Sequence, residues 1–271
     1  MTILVTGASG LVGARLLPRL IAAGFSCRAL RRGRREAPGG AEAVEGDLFD
    51  PESLSKAVAG VTAIIHLAAV LRTQDTDLIW KSNLEGTRNL IAAAKIHAPE
   101  ARFIMASTGL VYDKTSPRPG READAATPEL AYPASKLAAE NELRNSGLNW
   151  SIQRFGFVYG DQDGHLESVP EHAINAKWHP AMRMSMIHHR DIATAMTLAL
   201  RGVMDGRVVN IVDEAPTSIF EICELVGETM PVSAEPLADP WFIHLDGAVA
   251  RSLGFRPTVR TVYQAVEEKL L

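Results

Sequence analysis

The sequence predicts an α/β fold, a doubly wound parallel sheet with a small C-terminal lobe. Three observations lead there. The chain opens on MTILVTGASGLVG, which reads as a buried strand, a glycine turn and the first turn of a helix. Apolar strands and amphipathic helices then alternate as far as Arg154, the pattern of right-handed crossovers in a parallel sheet. Beyond Arg154 the alternation breaks up. Residues 1–156 are therefore expected to form the sheet domain, with 183–212 returning to it, and 157–182 and 213–271 to form the lobe. A chain of 271 residues with 46% hydrophobic content is long enough to bury such a core.

The elements follow in order. Ile3–Thr6 is the first strand. Leu11, Val12, Leu16, Leu17, Leu20 and Ile21 give the next helix a wide apolar face, and Gly24 closes it as a C-cap. Ser26–Leu30 is the second strand, followed by a basic, glycine-rich loop, and Ala43–Glu45 is a short third. Asp50-Pro51 opens a helix, with the carboxylate as cap and proline in the first turn. Ala63–Leu67 is apolar on both faces, as a central parallel strand must be. One long helix is expected over Asp77–His97, a strand over Phe103–Ala106, a helix over Tyr132–Asn145 and a strand over Trp150–Arg154. Phe157–Pro180 reads as loops with a short helix, Arg183–Ile187 as strand, Asp191–Leu200 as helix and Val208–Val212 as the last sheet strand. Ser218 and Glu221 form a capping box.

The glycine turn carries the first functional signal. Gly7, Gly10 and Gly13 remove Cβ atoms where a backbone must approach something closely. The following helix start points free N–H groups and a partial positive charge at the turn. Gly7, Ser9, Gly10, Leu11, Val12 and Gly13 thus form a cradle for a pyrophosphate. The spacing G-x-x-G-x-x-G, with Thr6 before it, differs from the G-x-G-x-x-G dinucleotide fingerprint. It resembles the short-chain dehydrogenase/reductase superfamily, which implies a Rossmann-type sheet.

The second signal is Tyr132-Pro133-Ala134-Ser135-Lys136. Positions i and i+4 share a helical face, so a phenol and an ammonium can serve one site. Bringing a tyrosine of pKa ~10 near neutrality takes about 4 kcal/mol of differential stabilisation of the phenolate. A nearby cation in a partly dry cleft is expected to supply much of it. Ser107-Thr108 ends the preceding strand, where a hydroxyl can hold a substrate oxygen. The arrangement resembles the extended branch of the superfamily, the epimerase/dehydratase-like proteins. In that branch a Ser or Thr stands four residues before the tyrosine of a Val-Tyr pair, here Thr108 before Val111-Tyr112, with Ser107 as fallback. The resemblance implies a catalytic set of Thr108, Tyr132 and Lys136 with Asn83 in support, the last from Asn83-x-x-Gly86-Thr87. It also implies cofactor contacts from Leu67, Ala68 and Ala69 beside the fourth strand, and from Asp47 and Leu48 at the adenine. Arg154, Val158-Tyr159-Gly160, His188–Ala193, Val209–Ile211 and Leu253–Pro257 resemble later family segments. His188, Asp191 and Asp47 have a plainer reading, as fasteners of loops and turns.

The cofactor expected is NADP, with NAD as the alternative. NAD binders of this class place an acid at the end of the second strand. Here Leu30-Arg31-Arg32-Gly33-Arg34-Arg35 stands there. Arg31 and Arg32 suit the extra phosphate, while Arg34 and Arg35 read as a solvated loop. The substrate expected is a small hydroxyl or carbonyl compound. Gly109-Leu110 replaces the Asp-Glu pair of the dehydratases, and Gly160–Arg183 is short for a nucleotide-sugar lobe. A nucleotide-sugar epimerase is the alternative, and a non-catalytic NADP-binding redox sensor the second. A net charge of −4 gives no support to nucleic-acid binding. No apolar run reaches membrane-span length, and no signal peptide precedes the first strand, so the cytoplasm is expected. Cys27 and Cys223 read as buried thiols rather than a disulfide or a metal site. The resemblance also implies helix faces over Asp77–His97 and Tyr132–Asn145 that can pair into a homodimer.

Overall fold

Along the first strand Ile3 and Val5 face one way and Leu4 the other, and the layers are built on that alternation. The computed structural model describes residues 1–33 and 37–271. Its strands are β1 (Thr2–Thr6), β2 (Ser26–Arg31), β3 (Glu42–Glu45), β4 (Ala63–His66), β5 (Arg102–Thr108), β6 (Asn149–Phe155), β7 (Phe157–Tyr159), β8 (Arg183–Met184), β9 (Met186–His188), β10 (Arg207–Ile211) and β11 (Thr217–Ser218). Seven of them form one parallel sheet in the order β10-β6-β5-β4-β1-β2-β3. The order reverses direction between β1 and β4, which opens a crevice at their C-terminal ends.

On one face Ile3, Val5 and Ile65 pack with Leu16, Leu17 and Leu20 of α1 (Gly13–Ala22) and with Ile192, Met196 and Leu200 of α7 (His189–Leu200). On the other, Leu4 and Ile64 pack with Leu54 of α2 (Pro51–Val58), Leu90 of α4 (Gly86–His97) and Leu143 of α5 (Ala131–Arg144). Each fully buried Leu or Ile contributes roughly 1.5–3 kcal/mol through removal from water. The capping expectations hold. Gly24 has φ +88 and its N–H donates to Ile21, ending α1; Asp50 accepts from the Glu52 N–H; Ser218 and Glu221 cap α8 (Ile219–Leu225) reciprocally.

One expectation is refined and one corrected. Asp77–His97 is helical throughout, as expected, but α3 (Thr76–Trp80) passes through a π turn over Lys81–Glu85 into α4. Of the stretch 183–212, Arg207–Ile211 joins the large sheet. β8 instead pairs antiparallel with β11, and β9 pairs with β7. Met182, Met184 and Met186 are buried there with α6 (Val169–Asn175) and α8, in a separate apolar cluster that includes Tyr159 and Val262. Both cysteines are free and buried. No helix among the described residues is long and apolar enough to cross a membrane.

Candidate active site

Because every strand of the large sheet is parallel, Thr6, Arg31, His66, Thr108 and Phe155 end on one edge. The glycine turn lies at the reversal point. Gly7 has φ +67, and a Cβ there would meet the Ala68 N at 2.6 Å and the Leu67 carbonyl carbon at 2.8 Å. A Cβ on Gly13 would collide with the Gly7 carbonyl oxygen. The turn is thus pressed against the Leu67–Ala69 segment, and the Thr6 Oγ accepts the Ala68 N–H at 3.3 Å. Val12 precedes α1 without any side-chain cap, so the helix presents backbone donors to the crevice. Ser9 and Gly10 are exposed, Leu11 and Val12 half-buried.

At the far edge the Gly46 N–H donates to the Arg31 carbonyl, which brings Arg31 beside Asp47 and Leu48. Arg31 is half-buried, its Nη1 donates to the Gly33 carbonyl, and its Nε has no partner among the described residues. Arg32 is exposed, while Arg34 and Arg35 lie outside the described residues. The Asp47 carboxylate accepts the Phe49 N–H at 2.9 Å, the turn-fastening role. The Leu48 carbonyl accepts from Asn89 at 2.9 Å.

Tyr132 and Lys136 sit in the first two turns of α5. The Thr108 hydroxyl, at the end of β5, accepts the Leu110 N–H at 3.2 Å and lies close enough to the Tyr132 phenol to influence its pKa. Lys136 is 2% exposed and makes no hydrogen bond or ion pair among the described residues. Its ammonium is disfavoured by burial, which lowers the pKa to about 8 against the pull of Glu140. Burial also raises Tyr132 to about 12, with Thr108 opposing. In the protein alone loss of solvation dominates at the phenol, and no pull from Lys136 opposes it. Tyr132 is a protonated phenol at neutral pH.

Asn83 is 0% exposed and sits in the π turn. Its Oδ1 accepts the Val70 N–H at 2.7 Å, and its Nδ2 donates to the Val70 carbonyl at 2.9 Å and to the Ser135 Oγ at 3.0 Å. Ser135 in turn donates to the Tyr132 carbonyl at 2.8 Å. Asn83 is thus a brace between the β4 loop and the start of α5, where Tyr132 stands. The extra residue of a π turn is what swings it inward.

A buried polar chain runs from the glycine turn to this brace. The Thr6 hydroxyl donates to His66 Nδ1 at 2.6 Å, His66 Nε2 donates to the Thr87 Oγ at 2.9 Å, and Thr87 donates to the Asn83 carbonyl at 2.6 Å. That sequence of donors requires neutral His66, and burial with the nearby Lys136 charge lowers its pKa to about 3. Ser107 is not a substitute for Thr108, because its hydroxyl donates to the buried Glu140 carboxylate. His188 and Asp191 are fasteners. His188 holds the Leu270 carbonyl at 3.0 Å, and Asp191 accepts from Thr258 and Val259. Sequence reasoning missed Ser135, Glu140 and the Thr6–His66–Thr87 chain as site residues. Helical spacing from Lys136 points to Glu140, but nothing local links residues 60 apart such as Thr6 and His66.

The glycine cradle and the unpartnered buried ammonium fit a dinucleotide on this edge. Comparison with known proteins agrees. The family model described as NAD dependent epimerase/dehydratase family matches residues 3–212. A 4-hydroxy-2-methyl-3-oxo-4-farnesyl-3,4-dihydroquinoline-1-oxide ketoreductase of Stigmatella aurantiaca is 30% identical over 257 residues, covering 87% of this chain and 75% of its own. A crystal structure of a short-chain dehydrogenase/reductase superfamily protein from Agrobacterium tumefaciens with bound NAD superposes with TM-score 0.82 at 26% identity, covering 99% of this chain and 95% of that one. A Thermus thermophilus UDP-glucose 4-epimerase in complex with NAD shares the fold, with TM-score 0.79 at 24% identity over 98% of both chains. The chain belongs to the NAD dependent epimerase/dehydratase family, in the extended branch of the short-chain dehydrogenases/reductases.

Proposed function

We propose that the chain transfers hydride between a nicotinamide and a small hydroxyl or carbonyl compound, and that it runs towards reduction. The observation that carries this reading is a half-buried, protonated Tyr132 beside Thr108, with the buried Lys136 one turn away and unpartnered among the described residues. A phenol pushed up to about 12 holds its proton at neutral pH, as a donor to an oxygen that is gaining negative charge must. The Thr108 hydroxyl, which accepts the Leu110 N–H, stands at the strand end where it can also hold the substrate oxygen. Lys136 keeps its N–H donors for the ribose hydroxyls. The ketoreductase named among the relatives supports carbonyl reduction.

Bound NADPH supplies the hydride. Gly7, Ser9, Gly10, Leu11, Val12 and Gly13 would hold its pyrophosphate, with Leu67, Ala68 and Ala69 alongside and Asp47 and Leu48 at the adenine. Arg31 and Arg32 favour NADP over NAD, since no acid stands at the end of β2. Two buried free thiols suit a reducing compartment, and we place the protein in the cytoplasm. A homodimer through α4 and α5 belongs to the same reading.

Tyr132→Phe is the test. It removes the proton donor and leaves the cradle intact. Turnover should fall by about 10²–10⁴ with NADPH affinity unchanged, measured by absorbance at the reduced nicotinamide band and by titration of nucleotide fluorescence. A fully active variant sinks the assignment. Net loss of NADPH on a carbonyl panel separates the reductase from an epimerase, which leaves the nucleotide balance unchanged, and from a sensor, which turns nothing over.

A further inference from the structure

Below Lys136 lies a cluster that the hydride-transfer reading does not use. Glu140 follows Lys136 by one turn of α5 and is 0% exposed. Its Oε1 accepts from the Ser107 Oγ and from Arg154 Nε at 3.0 Å, and its Oε2 from Arg154 Nη2 at 2.6 Å. Ser107 and Arg154 are register partners on adjacent strands β5 and β6, so the sheet itself fixes where the carboxylate sits. Arg154 lies 4.9 Å over the Tyr112 ring, and Tyr112 donates to Asn210 at 2.7 Å, which anchors the guanidinium from the other side.

The cost of this arrangement identifies its use. A buried ion pair is weak evidence of net stabilisation, because desolvation offsets the attraction. What it does here is hold a negative charge at a defined depth. A free carboxylate one turn away would pair directly with Lys136 and take up its donors. Ser107 and Arg154 prevent that, and no Lys136 ion pair within 4.0 Å occurs among the described residues. Of the charged groups in this cluster Arg154 on β6 is paired with Glu140, while His66 on β4, near enough to feel the Lys136 charge, is neutral and Tyr132 on α5 is protonated. We propose that Glu140, pinned by Arg154 and Ser107, is a positioning residue that keeps Lys136 an ammonium at neutral pH while leaving its N–H donors free for a ligand. This rests on the reading of Lys136 as the group that grips the nucleotide. The opposing influences on Lys136, burial down and Glu140 up, agree with it.

The test reads Lys136 directly, with neither nucleotide nor substrate present. The full chain carrying ¹³Cε-labelled lysine is titrated by NMR, and the Lys136 resonance is assigned by its loss in Lys136→Arg. The wild-type midpoint is expected near 8. Glu140→Gln should lower it by about one unit, so the neutral fraction at pH 7 rises roughly five-fold. That variant strands Arg154 in the interior and can fail to fold, so Glu140→Gln with Arg154→Met, which removes both charges, is the second arm and should shift the midpoint the same way by a smaller amount, because the cation that opposes Glu140 is lost with it. An unmoved midpoint in whichever variant folds overturns the proposal, since a purely structural Glu140 would change the melting temperature alone. The outcome is independent of Tyr132→Phe: lost turnover there with an unmoved Lys136 midpoint refutes only the role of Glu140.

Discussion

Tyr132 shows how far a residue's neighbours can reverse what its spacing suggests. The i, i+4 pairing with Lys136 is plain in the sequence, but the sign of the pKa shift depends on how much water the fold removes. Burial raises the phenol and lowers the ammonium, so the protein alone holds the phenol proton more tightly and the ammonium proton more loosely than free side chains would. Arg31 is a second case. It stands at the end of β2, half-buried, with its Nε unpartnered among the described residues. Planar donors of this kind match a phosphate in two-point contact. We expect wild-type kcat/KM to favour NADPH over NADH, and Arg31→Ala to cut the NADPH value about ten- to a hundred-fold while leaving NADH nearly unchanged. Equal efficiency with both nucleotides in the wild type would contradict the assignment.

Among the elements, the strands and most helix ends were legible because their causes are local. Alternating Ile3, Leu4 and Val5, the cap at Asp50 and the box at Ser218 each act within a few residues. The π turn inside the helix predicted over Asp77–His97 was not legible. Its apolar spacing continues smoothly, and the contacts that accompany the π turn, from Asn83 to Val70 and Ser135, lie 13 and 52 residues away in sequence. The brace gives a prediction at this scale. Asn83→Ala leaves the Val70 N–H and C=O without their partners and should cost about 1–3 kcal/mol, read as a lower denaturation midpoint. It should also reduce kcat more than nucleotide affinity, because the start of α5 carries Tyr132 but not the glycine cradle. Wild-type kcat in a destabilised variant would make Asn83 a structural residue only.

The molecule as a whole is tied together by buried polar links that no local pattern encodes. Thr6, His66, Thr87 and Asn83 join the glycine turn to the start of α5, and Asn210 joins Tyr112 to the Gly120 and Asp246 carbonyls at 3.0 Å each. The family segments were visible as separate motifs, whereas their connections required the fold. Asp213, after the last sheet strand, carries a global consequence. It is 4% exposed, one carboxylate oxygen has no partner, and burial together with Asp191 raises its pKa from 3.8 to about 8. The folded state therefore holds a proton that the unfolded state releases. This stability is fully present below pH 3.8 and is lost as pH rises through about 8. Asp213→Asn keeps the group neutral at every pH. Its melting temperature relative to wild type should be higher at pH 8.5 than at pH 5, and parallel profiles would refute the buried acid.

The central claim is that Thr108, Tyr132 and Lys136 surround one nicotinamide berth at the reversal point of the sheet. A crystal structure of the protein grown with NADP+ tests it without knowledge of the substrate. The account predicts the nicotinamide C4 within about 4 Å of the Tyr132 hydroxyl, near-attack range, with the Lys136 ammonium on the ribose hydroxyls. A nucleotide bound elsewhere, or a ring turned away from Tyr132, would contradict it.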